Sequence, residues 1–415
     1  MKFPLFKSVI NTSVLIILFF SSIAAQPVLC GLDQISSYRQ MFKNKRVGII
    51  TNHTAYSGSG KYITEIFSHL PWVQLTALFG PEHGIRGSAD AGQKIASENN
   101  PLSGIPIYSL YGKTRKPTPQ MLAKVDVLVF DIQDIGARFY TYIWTMALAM
   151  EACAEQGKTF VVLDRPNPID GWQVEGNILR KPWASFVGLF PIPVRHGMTV
   201  GELARMFNDQ GWLRNGIKAD LKVIPMKGWK RSMWYDQTGL KFIKPSPNMP
   251  DLETATVYPG LCLLEGTNVS EGRGTYHPFL QFGAPWIDAG QLTRNLNQLP
   301  LKGLHFTETH FTPQSIPGMS THPKFLNRSC NGCRITVTDR NIFQPYRSGI
   351  EIINTIYHLY ADSFRWRPKH FDRLAGTDNL RQAIIRGDNP DEFFSAWQKP
   401  LQKFLHKRSR YLLYR

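Results

Sequence analysis

Four glutamates are set among neighbours that suit acid–base chemistry. Glu82 lies in Phe79-Gly-Pro-Glu-His-Gly-Ile-Arg86, a glycine-bounded turn directly after an apolar run. Glu265 and Glu271 share a glycine-rich stretch with Arg273, and Glu175 lies in Gln173-Val-Glu-Gly176. A carboxyl group held in partly apolar surroundings keeps its proton to higher pH and serves as a general acid. Glu82 is therefore the candidate proton donor; the competing reading is a turn carboxylate bonded to its own backbone. Two carboxylates from separate segments flanking one bond are what glycoside hydrolysis requires, so Glu265, Glu271 and Glu175, in that order, are candidates for the second. Arg138, Arg195 and Arg273 could grip a substrate carboxylate through paired hydrogen bonds. Trp229, Trp234 and Trp286 could stack on a sugar ring, although burial in a core is the simpler reading of each.

These residues need a frame. Four apolar, β-branched runs, Val47–Thr51, Val73–Phe79, Val125–Asp131 and Phe160–Asp164, alternate with helical patterns. Short buried strands separated by helices are the pattern of a parallel sheet with crossover connections. Thr118-Pro119 predicts a helix start, Thr199-x-x-Glu202 a capping box, and Tyr142 to Gln156 a long apolar helix ending at Gly157. The expected class is α/β, a doubly wound Rossmann-like sheet over residues 33–224. Ligands of such sheets bind beyond the carboxyl ends of the strands. Those ends carry Asn52, then Glu82, His83 and Arg86, then Asp131, Gln133, Asp134, Arg138 and Tyr140, then Arg165 and Asn167. An Asp134–Arg138 ion pair at helical spacing is the structural alternative for that pair. From about Pro225 to Pro285 the texture turns to Gly, Pro, Trp and Asn, which reads as ordered loop. A strand at Cys333–Thr338, a helix striped by Ile350, Ile353, Tyr357 and Tyr360, and a last helix opened by Asn389-Pro390 complete a smaller α+β domain, residues 225–415.

Residues 1–25 run from Lys2 and Lys7 through the apolar Val14–Phe20 to small residues ending at Ala25, the order of a secretory signal. The mature chain is expected to be exported to the periplasm, with no stable membrane insertion. Cys30 allows a lipoprotein reading, but Leu29 occupies the place where a small residue precedes a lipidated cysteine, which favours plain export. Losing the two lysines lowers the formal charge from +17 to +15. A basic exported protein meets carboxylate-bearing wall polymer rather than nucleic acid. The basic tail Lys399, Lys403, Lys407, Arg408, Arg410 and Arg415 reads as a solvated helix face. The five cysteines are too few for a disulfide scaffold, and Cys330 with Cys333 form either a small-loop bridge or two free thiols. There is no G-x-S-x-G, no G-x-G-x-x-G after the first strand and no H-E-x-x-H. Gly58-Ser-Gly-Lys61 fails as a phosphate loop because Tyr62 and Ala55 stand where Ser or Thr and Gly are needed. His83 with Asp131 and Asp134 makes only a weak metal set, so no cofactor and no metal are expected.

The stretches Val47–His53, Leu78-Phe-Gly-Pro-Glu-His-Gly-Ile-Arg-Gly87, Tyr108-Ser-Leu-Tyr-Gly112, Asp131–Tyr140, Leu163–Pro168, Arg195-His-Gly-Met-Thr199, Pro245-Ser-Pro-Asn-Met-Pro250 and Glu265–Thr275 follow one another along nearly all of the mature chain. Together they resemble the exo-β-N-acetylmuramidases of the NamZ type, long catalogued as a domain of unknown function. The resemblance implies a Rossmann-like domain joined to an auxiliary domain with the active cleft between them. It also implies release of N-acetylmuramic acid from the non-reducing ends of peptidoglycan fragments, in wall turnover and recycling. Glu82 falls on the family's Pro-Glu-His-Gly glutamate, and the matched stretches add Arg195, His196, Asn248, Asn268 and Arg273 to the candidate substrate-binding residues. Two other functions use the same residues: a non-catalytic wall-glycan binding protein, and a metal-dependent sugar deacetylase built on His83 and the aspartates.

Overall fold

The computed structural model describes residues 27–87, 89, 98–99 and 104–415; the signal segment expected over residues 1–25 lies outside them. The first half is built on β1 (Lys45–Thr51), β2 (Val73–Gly80), the short β3 (Glu98–Asn99), β4 (Pro106–Ser109), β5 (Val127–Asp131), β6 (Thr159–Leu163) and β7 (Asp220–Ile224). Among the described residues they form one sheet in the order β3-β4-β2-β1-β5-β6-β7, parallel throughout except for β3 against β4. The parallel strands thus wind outwards in both directions from β1, the doubly wound arrangement expected from the alternation of runs and helices. All five residues of β5 are buried, because helices cover both faces. On one face lie the helices Tyr142–Glu155 and Val200–Asp209, joined by stacking of Trp144 on Phe207 at 5.6 Å. On the other, Phe42 and Phe67 pack beneath β1 and β2. The expected capping box is formed: Thr199 Oγ1 accepts from the Glu202 N–H at 3.2 Å, and Glu202 accepts from the Thr199 N–H at 3.0 Å.

In the second half β8 (Gln281–Ala284), β9 (Leu304–Phe311) and β10 (Cys330–Val337) make an antiparallel sheet in the order β8-β10-β9. The helix Ala289–Gln298 packs on it, and Pro345–Leu359 packs against that helix. The stretch from Pro225 to Pro285 is not all loop. It contains the helix Leu252–Leu261, capped by Asp251, whose side chain accepts from the Thr254 N–H at 2.8 Å. Every residue from Thr254 to Leu261 is buried, so no apolar stripe marks it, and Pro259 and Gly260 disguise its last turn. Gly260 is required there, because a Cβ would sit 1.8 Å from the Pro345 carbonyl of the crossing helix. Cys330 and Cys333, three apart on one strand, point to opposite faces and are both free.

Two sets of buried bonds lock the halves together. Arg138 donates to the carbonyls of Leu374 (3.1 Å) and Ala375 (2.8 Å). The chain end folds back so that the Tyr414 hydroxyl donates to Asp164 Oδ2 (2.6 Å) and the Leu413 N–H to Glu202 Oε1 (2.8 Å). Within the basic tail Arg408 is buried, donating to the carbonyls of Gly171 and Gly197, and so departs from the solvated face expected of it. No helix among the described residues is long and apolar enough to cross a membrane.

Candidate active site

A cavity of about 500 Å³ opens between the halves, lined on one side by the segments that follow β2 and β5 and on the other by the helix 252–261 and its sequel. Glu82 stands two residues beyond β2, half-buried in that lining. Thr141 Oγ1 donates to its Oε2 at 2.7 Å, and the Tyr111 hydroxyl hydrogen-bonds the same carboxyl group. Burial, then the adjoining Glu82 carboxyl group, push the Tyr111 phenol above its ordinary value, so it stays a protonated donor. Behind Glu82 the chain reverses through His83 (φ +68) and Gly84 (φ +71). A histidine held in the left-handed region, with Nδ1 2.7 Å from the Ala89 carbonyl oxygen, is strain of the kind that clusters at working sites.

Glu265 faces the same cavity from the turn Cys262–Gly266. Arg273 donates to its Oε1 from Nη2 (2.7 Å) and Nε (3.1 Å), and His370 Nε2 lies 3.6 Å from Oε2. Burial resists ionisation, but Arg273 and His370 outweigh it and hold this carboxyl below the usual range. Glu265 is thus an anion at neutral pH. A hydroxyl-held carboxyl group from one half and an anionic carboxylate from the other line one cavity, the pairing that glycosidic cleavage uses.

Two family models cover nearly all of the described chain: the N-terminal part of exo-β-N-acetylmuramidase NamZ matches residues 47–253 and its C-terminal part residues 256–414. The chain belongs to the NamZ family. It is 48% identical over 389 residues to the peptidoglycan β-N-acetylmuramidase NamZ of Bacillus subtilis (strain 168), covering 93% of this chain and 91% of that one. Two solved structures of DUF1343 family proteins from Bacteroides fragilis NCTC 9343 are similar throughout, with TM-scores of 0.86 and 0.78 and identities of 37% and 36%. Each covers 94% of this chain and 99% of the other. Membership in the NamZ family makes the chain a glycosidase.

In this NamZ-family chain the polar edge of the sheet is mostly framework. Of the residues expected to bind substrate, His83, Tyr140, Asn248 and Arg273 line the cleft with Glu82 and Glu265. Glu271 lies just outside it, buried between Lys324 (2.8 Å) and Arg273 (3.5 Å), beside a second cavity of about 460 Å³ that shares Glu265, Arg273 and His370. Glu175 lies elsewhere, half-buried, and accepts from the Arg347 N–H at 2.7 Å. Asn52 closes a turn by accepting from Thr54, and Gln133 donates to the Asp134 and Pro166 carbonyls at 2.8 Å. Asp131 and Arg165 form a buried ion pair. Asp134 accepts from the Gly136 N–H at 2.8 Å instead of pairing with Arg138, and burial raises its carboxyl to about 7. Arg138 spends its terminal nitrogens on four carbonyls, and Arg195 binds Gln173, Ile169 and Asp170. Neither guanidinium is left for a ligand, which removes both from the expected carboxylate grip. His196 is wholly buried, its pKa pushed down to about 3 by burial and by Arg408 and Arg195. Asn167 donates to the Met198 carbonyl, Asn268 ties Ser363 to Arg365, and Arg86 is exposed outside the cleft lining. His83, Asp131 and Asp134 do not converge as a metal set; no group of three potential ligands does among the described residues.

The expected tryptophans do not line the cavity; its aromatic wall is Tyr111, Phe139, Tyr140, Tyr142, Phe186, Tyr258 and Phe279. Tyr111, Thr141, Arg115, His370 and Arg373 escaped the sequence reading. Tyr111 lies in one of the matched stretches and Thr141 one residue past another. His370 and Arg373 are marked only by helical spacing, which says nothing of the cavity they face.

Proposed function

We propose that this chain is an exported exo-β-N-acetylmuramidase that releases N-acetylmuramic acid from the non-reducing ends of peptidoglycan fragments, in wall turnover and recycling. The single observation that carries it is the placing of Glu82 and Glu265 on opposite walls of one cavity in a NamZ-family chain. Glu82, steered by Thr141 and Tyr111, protonates the departing glycosidic oxygen. Glu265, kept anionic by Arg273, faces the anomeric carbon and either activates water or attacks. Exo-action is supported by the two exo-β-N-acetylmuramidase family models that match the chain. Export rests on the basic, apolar and small order of residues 1–25. Cys30 is fully buried, with Leu29 and Gly31 in backbone bonds to Lys227 and Asp164, so a lipid on that sulfur would displace core packing. Incubation with a muramyl-glucosaminyl disaccharide, followed by mass spectrometry, tests the reaction. Equal amounts of the two monosaccharides are expected. Binding without cleavage would leave a glycan-binding protein, and loss of an acetyl group from an intact disaccharide would leave a deacetylase.

A further inference from the structure

Arg273 is the one arginine of the expected grip that reaches the cleft, and it is committed to Glu265. Two other guanidiniums line the same cavity, Arg115 from the first half and Arg373 from the second, and both are exposed. No carboxylate among the described residues lies within ion-pair distance of either. Each is nonetheless held. Arg115 lies over the Phe186 ring, 4.4 Å from its centroid, and Phe186 packs on Tyr111, which bonds Glu82. Arg373 donates from Nε to the Lys369 carbonyl at 2.9 Å, which leaves its two terminal nitrogens for a ligand. It sits three residues beyond His370 on the helix Pro368–Ala375, on the face that carries His370 to Glu265. Oriented, uncompensated guanidiniums at the mouth of a cavity suit a planar anion that accepts paired hydrogen bonds.

We infer that Arg115 and Arg373 read the carboxylate of the lactyl ether on the terminal muramyl sugar, and so set the preference for a muramyl over a glucosaminyl glycone. The inference rests on the muramidase reading above. The two sugars differ only in that ether, and its carboxylate is the part of it that a guanidinium binds. Hydrogen bonds to a charged partner predict a loss of roughly 10- to 100-fold in kcat/KM when one is removed.

The test measures kcat/KM on aryl muramides, on the same muramides with the lactyl carboxylate converted to an amide, and on aryl glucosaminides. The wild type, Arg115→Gln, Arg373→Gln and Arg115→Lys are compared. The amide is expected to cost the wild type roughly 10- to 100-fold, chiefly in KM, and to cost each Gln variant far less, with Arg115→Lys in between. An amide penalty unchanged in both Gln variants, or absent in the wild type, overturns the inference. A wild type that cleaves no glycoside overturns the muramidase reading instead. The wild-type amide comparison needs no variant to fold, and activity on glucosaminides reports whether each variant's catalytic groups are intact.

Discussion

Asp134 is buried, accepts from the Gly136 N–H at 2.8 Å and from the Ile135 N–H, and has its carboxyl raised to about 7 by loss of water. A carboxyl whose folded pKa lies above its unfolded one contributes full stability below the unfolded value. That contribution is lost as pH climbs through the folded one. A rise from an ordinary carboxyl to about 7 corresponds to about 4 kcal/mol, lost between roughly pH 4 and 7. Asp134→Asn keeps an acceptor for the Gly136 N–H and removes the charge. The variant's Tm is therefore expected to match the wild type near pH 4, to exceed it progressively up to pH 7, and to hold a constant excess above that. A constant difference across that range would show that Asp134 does not titrate there. Glu265 runs the other way, because Arg273 and His370 hold its carboxyl down and its contribution is lost only as pH falls into the acid range. At this scale the sequence singled out Glu82 and Arg273, which both line the cavity, although Arg273 there holds Glu265 rather than standing open for a substrate carboxylate. It misplaced Arg138 and Arg195, because a guanidinium that satisfies buried carbonyls and one that waits for a ligand look alike in one dimension.

Among the elements, the caps were legible and the all-buried helix was not. Thr118, Thr199 and Asn389 each accept the N–H bonds their positions foretell. Thr199 does more than cap: its hydroxyl donates to Asp164 Oδ2 at 2.8 Å, beside the Tyr414 hydroxyl from the chain end. Thr199→Ala therefore removes a cap and one donor to a buried carboxyl group, and is expected to cost about 2–3 kcal/mol in urea unfolding. A cost under about 0.5 kcal/mol would mean that the bond to Asp164 contributes nothing. The longer apolar helix Tyr142–Glu155 was legible by its length and its closing Gly157. The helix Leu252–Leu261 escaped because it is short, is buried from Thr254 onward and so shows no stripe, and ends in Tyr258-Pro-Gly260. It matters to function, since its Tyr258 and the turn after it, with Cys262 and Glu265, form the second wall of the cleft.

The whole molecule brings together groups that no single element could. Glu82 and Glu265 are 183 residues apart and reach one cavity because Arg138 and the returning chain end fix one half against the other. The strand alternation made the parallel sheet and its polar carboxyl edge legible. Which residues of that edge face the cavity was not, because it depends on the second half closing over β2 and β5. The account stands on Glu82 as proton donor, and an acid's contribution grows with the basicity of the group that leaves. Glu82→Gln is expected to lose about 10²- to 10⁴-fold in kcat on a muramyl-glucosaminyl disaccharide and far less on a muramide with a strongly acidic phenol as leaving group. Equal losses on both substrates, or full turnover of the disaccharide by the variant, would contradict it.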